Sequence, residues 1–357
     1  MRVLFSLLDA GIGGGQQVAT WIAQGLVTRG DSVGLLVPAR GPAVEGFEAL
    51  GARVHFAHLQ RLRQPRDVRN VAKVLRNYDA LYSHTAIGGQ LLGDAAARLA
   101  RRPHLIHQHT YPQFSTRPLD ATLQRTLFRI LLGRRPFIAV APHVRQGLIG
   151  CKVRPDSICV IANGVPLPEV APPRNYPPLR IGMLGRFDPG KGMLTFIEAA
   201  SASGLDPDEV QFVVGASSGP FHDYEIQVRD RAQDAGVAVV EPGTGGTGFL
   251  LGLDILVMPS RYEGSPLTLL EAMSLGKPVV GTDIPGIRAI VGETDAGFLI
   301  PVDDSAALQA VFRRLAGDPQ ARTTAGAAGR RLVEANYTRD RMIGETLGAL
   351  DRTVSAR

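Results

Sequence analysis

The strongest constraint on this chain is a rhythm that runs twice. Short β-branched runs alternate with amphipathic stretches that end in glycine. Residues 2–8 read as a strand, 16–29 as a helix closed by Gly30, and 33–37 as the next strand; further strands are expected at 80–83, 104–109, 137–141 and 158–162. Repeated β-α-β units imply a parallel sheet with helices on both faces. The rhythm then breaks: Pro166, Pro168, Pro172, Pro173, Pro177 and Pro178 fall within thirteen residues. Proline resists both helix interiors and central strands, so this is a linker. Strands resume at 179–184, 210–215, 237–241, 254–258, 278–281 and 297–300, and helices at 305–316, 320–336 and 340–354 close the chain. The expectation is an α/β protein of two doubly wound domains, whose ligands bind beyond the carboxyl ends of the strands.

Composition fits that reading. At 357 residues the chain is about twice what one compact core usually holds. Its 45% hydrophobic and 20% charged residues exclude a mainly disordered chain and a coiled coil. No apolar run reaches the ~20 residues that span a bilayer. The run from Val3 to Leu8 is too short for a signal peptide and reads as the first strand. Cys151 and Cys159 cannot make a disulfide framework or a zinc site, and suit free thiols in a reducing, cytoplasmic setting. The net charge of +6 is uneven: residues 1–174 carry 22 Lys+Arg against 10 Asp+Glu, and the remainder 17 against 23. A basic first half favours an anionic surface, such as a membrane or an acidic polymer. No nucleic-acid-binding module is recognisable, so nucleic acid is not expected as a partner.

Two segments carry chemistry. In the first, a buried strand ends at Pro259-Ser260, and a loop with Glu263 and Gly264 leads into a helix. Ser265 is a natural N-cap, Pro266 suits the first turn, and Gly276 stops the helix. The unpaired N–H groups from Gly264 to Thr268 would then form an anion site. Glu263 and Glu271 could reach two parts of one elongated ligand, or they could be one exposed and one salt-bridged glutamate on an ordinary capped helix. In the second segment, strand 179–184 runs into Gly185-Arg186-Phe187-Asp188-Pro189-Gly190-Lys191-Gly192. Arg186 and Lys191 could neutralise a diphosphate, the first by forked hydrogen bonds and the second as a point charge. The alternative is a solvated βα loop.

Together, in this order and spacing, the segments resemble the family 4 glycosyltransferases. The resemblance also takes in Gly13-Gly14-Gly15-Gln16, Pro103 to His109, Asn163-Gly164-Val165 and Gly276-Lys277-Pro278-Val279-Val280. It implies a GT-B fold: two Rossmann-like domains, 1–165 for the acceptor and 179–339 for the nucleotide sugar, facing across a cleft. They would be joined by the linker 166–178, with the last helix, within 340–357, packing back on the first domain. It implies a retaining transferase that moves a hexosyl unit from a UDP- or GDP-sugar to a hydroxyl acceptor (a glycan, anionic ones included, a lipid-linked acceptor or a small molecule), with no metal or other cofactor. Arg186 and Lys191 would hold the diphosphate, Glu271 the ribose, and Glu263 the transferred sugar. Backbone at Gly264, Ser265, Pro266 and Leu267 would complete the cradle. His109 would face the sugar from the first domain, and Gly13, Gly14 and Gly15 would approach the phosphates or the acceptor. Closure about hinges near 165–176 and Tyr337 would assemble the site. A nucleotide-sugar 2-epimerase of the same fold and a non-catalytic sugar-binding subunit are the alternatives.

Some features depart from the pattern or compete with it. Gln16 stands where many relatives have glutamate, and the glycine-rich stretch 241–248 replaces the usual apolar turn and short helix near the nucleobase. Asp206-Pro207-Asp208 matches a metal motif of the other glycosyltransferase fold, but here it precedes a strand. Gly11, Gly13 and Gly15 match a dinucleotide fingerprint only in part, and strand 33–37 lacks the ribose acid. His107 and His109 share a strand face and suit packing or ligand contact better than a metal. Two basic amphipathic stretches, 59–76 and 117–135, are either membrane-facing or core-packed helices with a solvated basic face, peripheral contact at the inner membrane face being the former reading.

Overall fold

The computed structural model describes residues 1–11, 13–57, 65–115, 117–169, 177–243, 246–292 and 294–356. The middle of the linker (with Pro172, Pro173 and Tyr176), the start of the 59–76 stretch, and Thr244-Gly245 lie outside the described residues.

The chain forms two compact units, Met1–Asn163 with Asp340–Arg357, and Gly164–Arg339. In unit 1 the order is β1 (Arg2–Leu7), α1 (Gly14–Thr28), β2 (Ser32–Val37), α2 (Pro42–Glu48), β3 (Arg53–Phe56), α3 (Pro65–Leu75) and β4 (Ala80–His84). It continues with α4 (Ile87–Ala100), β5 (His104–Gln108), α5 (Pro118–Leu127), a π turn (Phe128–Leu132), β6 (Phe137–Ala139), α6 (Pro142–Gly150) and β7 (Ile158–Val160). Unit 2 runs β8 (Leu179–Arg186), α7 (Met193–Ser201), β9 (Val210–Ser217), α8 (His222–Asp234), β10 (Ala238–Val240), α9 (Thr247–Leu251) and β11 (Ile255–Met258). After these come α10 (Leu267–Ser274), β12 (Val279–Thr282), α11 (Pro285–Val291), β13 (Phe298–Ile300), α12 (Ser305–Gly317) and α13 (Pro319–Asn336). The last helix, α14 (Arg339–Ser355), falls almost wholly in unit 1, where Arg29 pairs with Asp351 at 2.8 Å.

Each unit has one parallel sheet, ordered β3-β2-β1-β4-β5-β6-β7 and β10-β9-β8-β11-β12-β13. Strands covered on both faces read as nearly continuous apolar runs, and β1 is buried from Val3 to Leu7. Strand order reverses between β1 and β4 in unit 1, and between β8 and β11 in unit 2. Loops at such a reversal diverge to opposite faces and leave a crevice at the carboxyl ends of the strands.

Several boundaries move from their expected places. Gly14 and Gly15 form the first turn of α1, so only Gly13 precedes the helix as its N-cap. Strand β5 stops at Gln108, leaving His109 one residue beyond it. Helix α10 starts at Leu267, with Pro266 at the N-cap position and no side-chain cap, so Ser265 is not the cap. Pro266 is itself extended (φ −70°, ψ 117°), the backbone of a cap and not of a first helical turn, so the helix begins one residue later. The short helix thought replaced by 241–248 is present as α9, held by the buried Leu250. Asp206-Pro207-Asp208 is a turn in which the Asp206 carboxylate accepts from the Asp208 N–H at 2.9 Å.

Unit 1 is pinned by a buried carboxylate. Asp94 on α4 is fully buried and pairs with Arg98 at 2.6 Å, Arg135 at 2.5 Å and the buried His104 of β5 at 3.6 Å. Burial alone would raise its pKa, but its bonds to His104 and Arg98 and the Arg135 charge hold it below its ordinary value. A depressed carboxylate stabilises the fold above its unfolded-state pKa, and that stability is lost as pH falls through the folded value. Asp94→Ala strands the buried His104 and the partly buried Arg135 and should cost roughly 3–5 kcal/mol in urea unfolding at neutral pH. The gap between wild type and variant should narrow in acid.

Candidate functional site

In unit 2, the loops after the two strands at the reversal are bound to each other. After Arg186 the chain makes a short turn, Pro189–Lys191, with the Asp188 carboxylate accepting from the Gly190 N–H at 2.8 Å. Gly192 follows at φ +71°, and a Cβ there would lie 2.0 Å from the Pro259 carbonyl oxygen. Only glycine meets both demands, the left-handed backbone and the contact with the neighbouring loop. Across the junction the Arg261 N–H donates to the Gly190 carbonyl at 2.8 Å, and the Tyr262 hydroxyl donates to Asp188 at 3.3 Å. Arg261 also forks onto Asp303 at 2.9 Å.

This arrangement brings the expected residues of unit 2 to the carboxyl end of its two central strands. Arg186 ends β8, is exposed, and makes no ion pair among the described residues. Lys191 donates to Glu263 at 2.7 Å, so a group expected at the diphosphate and a group expected at the sugar are partners here. Gly264, Ser265, Pro266 and Leu267 are buried, and they lead into a helix start whose amides no side chain caps. Glu271 lies one turn into α10, where burial pushes its carboxyl up to about 7. Two cations, uncapped amides and a poorly solvated carboxyl suit a polar anionic ligand with hydroxyl groups.

The reversal in unit 1 is different: its strand ends carry a cluster of histidine rings, and the Asp9 carboxylate in the loop after β1 accepts from the Gly11 N–H and from Gln16, each at 2.8 Å. Gly13 is extended, and a Cβ on Gly15 would meet the His109 ring at 3.4 Å. His109 Nε2 and His84 Nδ1 share a hydrogen bond of 2.9 Å, and His107 Nδ1 bonds the buried Tyr82 hydroxyl at 2.6 Å. The His107 and His109 rings stack at 4.4 Å, tilted by 8°. Burial lowers all three histidines, His109 to about 4, so they are neutral at physiological pH. Ring nitrogens of the three lie within 4.8 Å of one another. A lone pair lies in the plane of its ring, however, so the stacked His107 and His109 do not both aim at a single ion.

Two family models cover most of the chain. "Glycosyltransferase Family 4" matches residues 12–168, and "Glycosyl transferases group 1" matches 178–318. The chain belongs to glycosyltransferase family 4. The galactosyltransferase of Escherichia coli named for UDP-Gal and α-D-GlcNAc-diphosphoundecaprenol is 29% identical over 273 residues, 69% of each chain. The mannosyltransferase LpsB of Rhizobium meliloti is 34% identical over 135 residues, 36% of this chain and 38% of that protein. Among solved structures, Anabaena HepE in complex with UDP and glucose superposes with a TM-score of 0.85 at 20% identity, covering 98% of this chain and 99% of that one. The glycosyltransferase thus has the GT-B fold.

Sequence reasoning missed six contributors: Asp188, Arg261, Tyr262 and Asp303, which brace the two loops, and Tyr82 and His84, which bond His107 and His109. The bulk of Tyr262 beside Glu263 was a usable signal, since Gly190 leaves no room for a Cβ against the Tyr262 ring (2.4 Å). Glu271 gives a test of placement. Its raised pKa means that the folded state binds more protons than the unfolded chain between about pH 4.5 and about 7. Its carboxyl therefore destabilises the fold increasingly as pH rises through that window, by about 3 kcal/mol in all. Unfolding free energies of wild type and Glu271→Gln should diverge in favour of the variant over that range, and run parallel above it.

Proposed function

We propose that this glycosyltransferase moves a hexosyl unit from a UDP- or GDP-sugar to a hydroxyl acceptor, with retention of anomeric configuration and without a metal ion. The observation that carries the donor is the cationic pair Arg186 and Lys191 beside the uncapped start of α10. Breaking a sugar–phosphate bond leaves negative charge on the diphosphate. Fixed cations and aligned amides stabilise that charge as it forms, the role a metal would otherwise fill. The names of two relatives support the reading: one carries UDP-Gal and a lipid diphosphate acceptor, and HepE was solved with UDP and glucose.

Within unit 2 the diphosphate takes Arg186 and Lys191, the ribose hydroxyls take Glu271, and the transferred sugar takes Glu263 and the backbone of Gly264, Ser265, Pro266 and Leu267. Because Lys191 is already held by Glu263, diphosphate and sugar arrive at a coupled pair, and Lys191 divides its three donors between them. In unit 1 we assign His109 to the sugar, and Gly13, Gly14 and Gly15 to the phosphates or the acceptor. A neutral His109 donates or accepts a hydrogen bond without opposing the positive charge that develops at the anomeric carbon. Retention follows if the leaving phosphate helps to take the acceptor's proton on the face it departs from. The free Cys151 and Cys159 suit a cytoplasmic protein.

A thermal-shift screen of UDP- and GDP-sugars tests the donor. The correct one, at 100 times its dissociation constant, adds about 2.7 kcal/mol of stability. Lys191→Ala and Glu263→Ala should each lower transfer by about 10²–10³-fold, the scale of losing one preorganised charge contact. Turnover of donor with neither acceptor nor released nucleotide would instead indicate the epimerase. The anomeric proton of the product, read by NMR, tests retention.

A further inference from the structure

The two basic stretches of unit 1 turn out differently. The described part of the first, α3, is an ordinary amphipathic helix: Val71, Ala72 and Leu75 are buried, and Arg66, Arg69, Asn70 and Lys73 face outward. The second, α5 with its π turn, has apolar residues on two opposite faces. Phe128 and Leu132 are fully buried, whereas Leu119 is 87%, Leu123 52% and Ile130 67% exposed. A step of four residues puts Leu119 and Leu123 within about 40° of one another on α5, and Ile130, in the π turn that continues it, is exposed as they are. Arg117, Arg125, Arg129 and Arg134 are exposed around them, and none makes an ion pair among the described residues; Asp120 is the one acid in residues 117–134. By the same count, unit 1 holds 24 Lys+Arg against 12 Asp+Glu.

We infer that the outer face of α5 and its π turn docks on an anionic phospholipid bilayer, with Leu119, Leu123 and Ile130 entering the headgroup boundary and the arginines pairing with lipid phosphates. Charge complementarity selects this occupant. An aliphatic stripe ringed by cations is the composition of a helix lying in the plane of an anionic membrane. The aromatic anchors that dominate protein interfaces are absent from the stripe. No helix among the described residues is long and apolar enough to cross a membrane, so the contact is peripheral.

The inference stands apart from the donor reading, because its test uses the full chain with no nucleotide sugar. Co-sedimentation with phosphatidylcholine vesicles, with and without phosphatidylglycerol, should show binding only when the anionic lipid is present, weakening as salt screens the arginines. Leu119→Ser/Leu123→Ser/Ile130→Ser and Arg125→Glu/Arg129→Glu, both at exposed positions and checked for unchanged melting, should each lower binding about tenfold or more. The charge-matched Arg66→Glu/Arg69→Glu control on α3 should lower it far less. The inference is overturned if anionic vesicles are not bound, or if the α3 control weakens binding as much as the α5 pair. It is equally overturned if the serine variant dissolves a dimer in sedimentation while vesicle binding persists, since a second copy would then own the face.

Discussion

The close approach of Gly192 to the Pro259 carbonyl decides most of what the second unit can do. Parallel strands β8 and β11 run side by side, but their loops lead to helices that diverge, and nothing in the sheet itself holds the loops together. Here the backbones meet with no space for a Cβ, the Arg261 N–H closes onto Gly190, and Tyr262 lies over the joint. Lys191 and Glu263 are side chains of these two welded backbones. Their separation is therefore set before any ligand arrives, and charge stabilisation gains most from groups that need not move during reaction.

The two units solve opposite electrostatic problems at equivalent places. Unit 2 is acidic overall, 15 Lys+Arg against 21 Asp+Glu, yet presents Arg186 and Lys191 at its strand reversal. Screening over about 8–10 Å hides the distant acids from a bound anion, so local charge outweighs the net charge. Unit 1 is strongly basic, yet its reversal holds histidines kept neutral by burial beside Phe5 and Tyr82. Its cations are on the outside, which is where an explanation for them has to be sought.

Much of this was legible in the sequence, for a physical reason. Strands buried on both faces cannot hide their apolar runs, and βα loops announce themselves through glycine and proline, so both sheets and both unit-2 loops could be read along the chain. Arg186, Lys191, Glu263 and Glu271 could be singled out as candidates because spacing within a single loop or turn is a local property. The Asp188–Tyr262 contact spans 74 residues of chain and leaves no local trace. The errors at Ser265 and at Gly14-Gly15 have the same root. Propensity names residues that favour a helix start, whereas the actual start depended on the proline at 266 and on the histidine ring packed beside Gly15.

The stretch 117–135 marks the limit of periodicity as evidence. Its apolar residues recur at helical spacing on two faces, and a pattern of that kind states how many faces are apolar but not which one the core takes. Packing resolves it: Phe128 stacks edge-on against Phe114 at 5.8 Å and lies 6.0 Å from Phe137, committing one face inward. Phe128 and Leu132 are four residues apart, the spacing that keeps two side chains on one helix face, and both are fully buried. Ile130, between those two buried residues, points the other way and is exposed, as Leu119 and Leu123 are, so the turn that contributes to the core also carries an exposed aliphatic side chain.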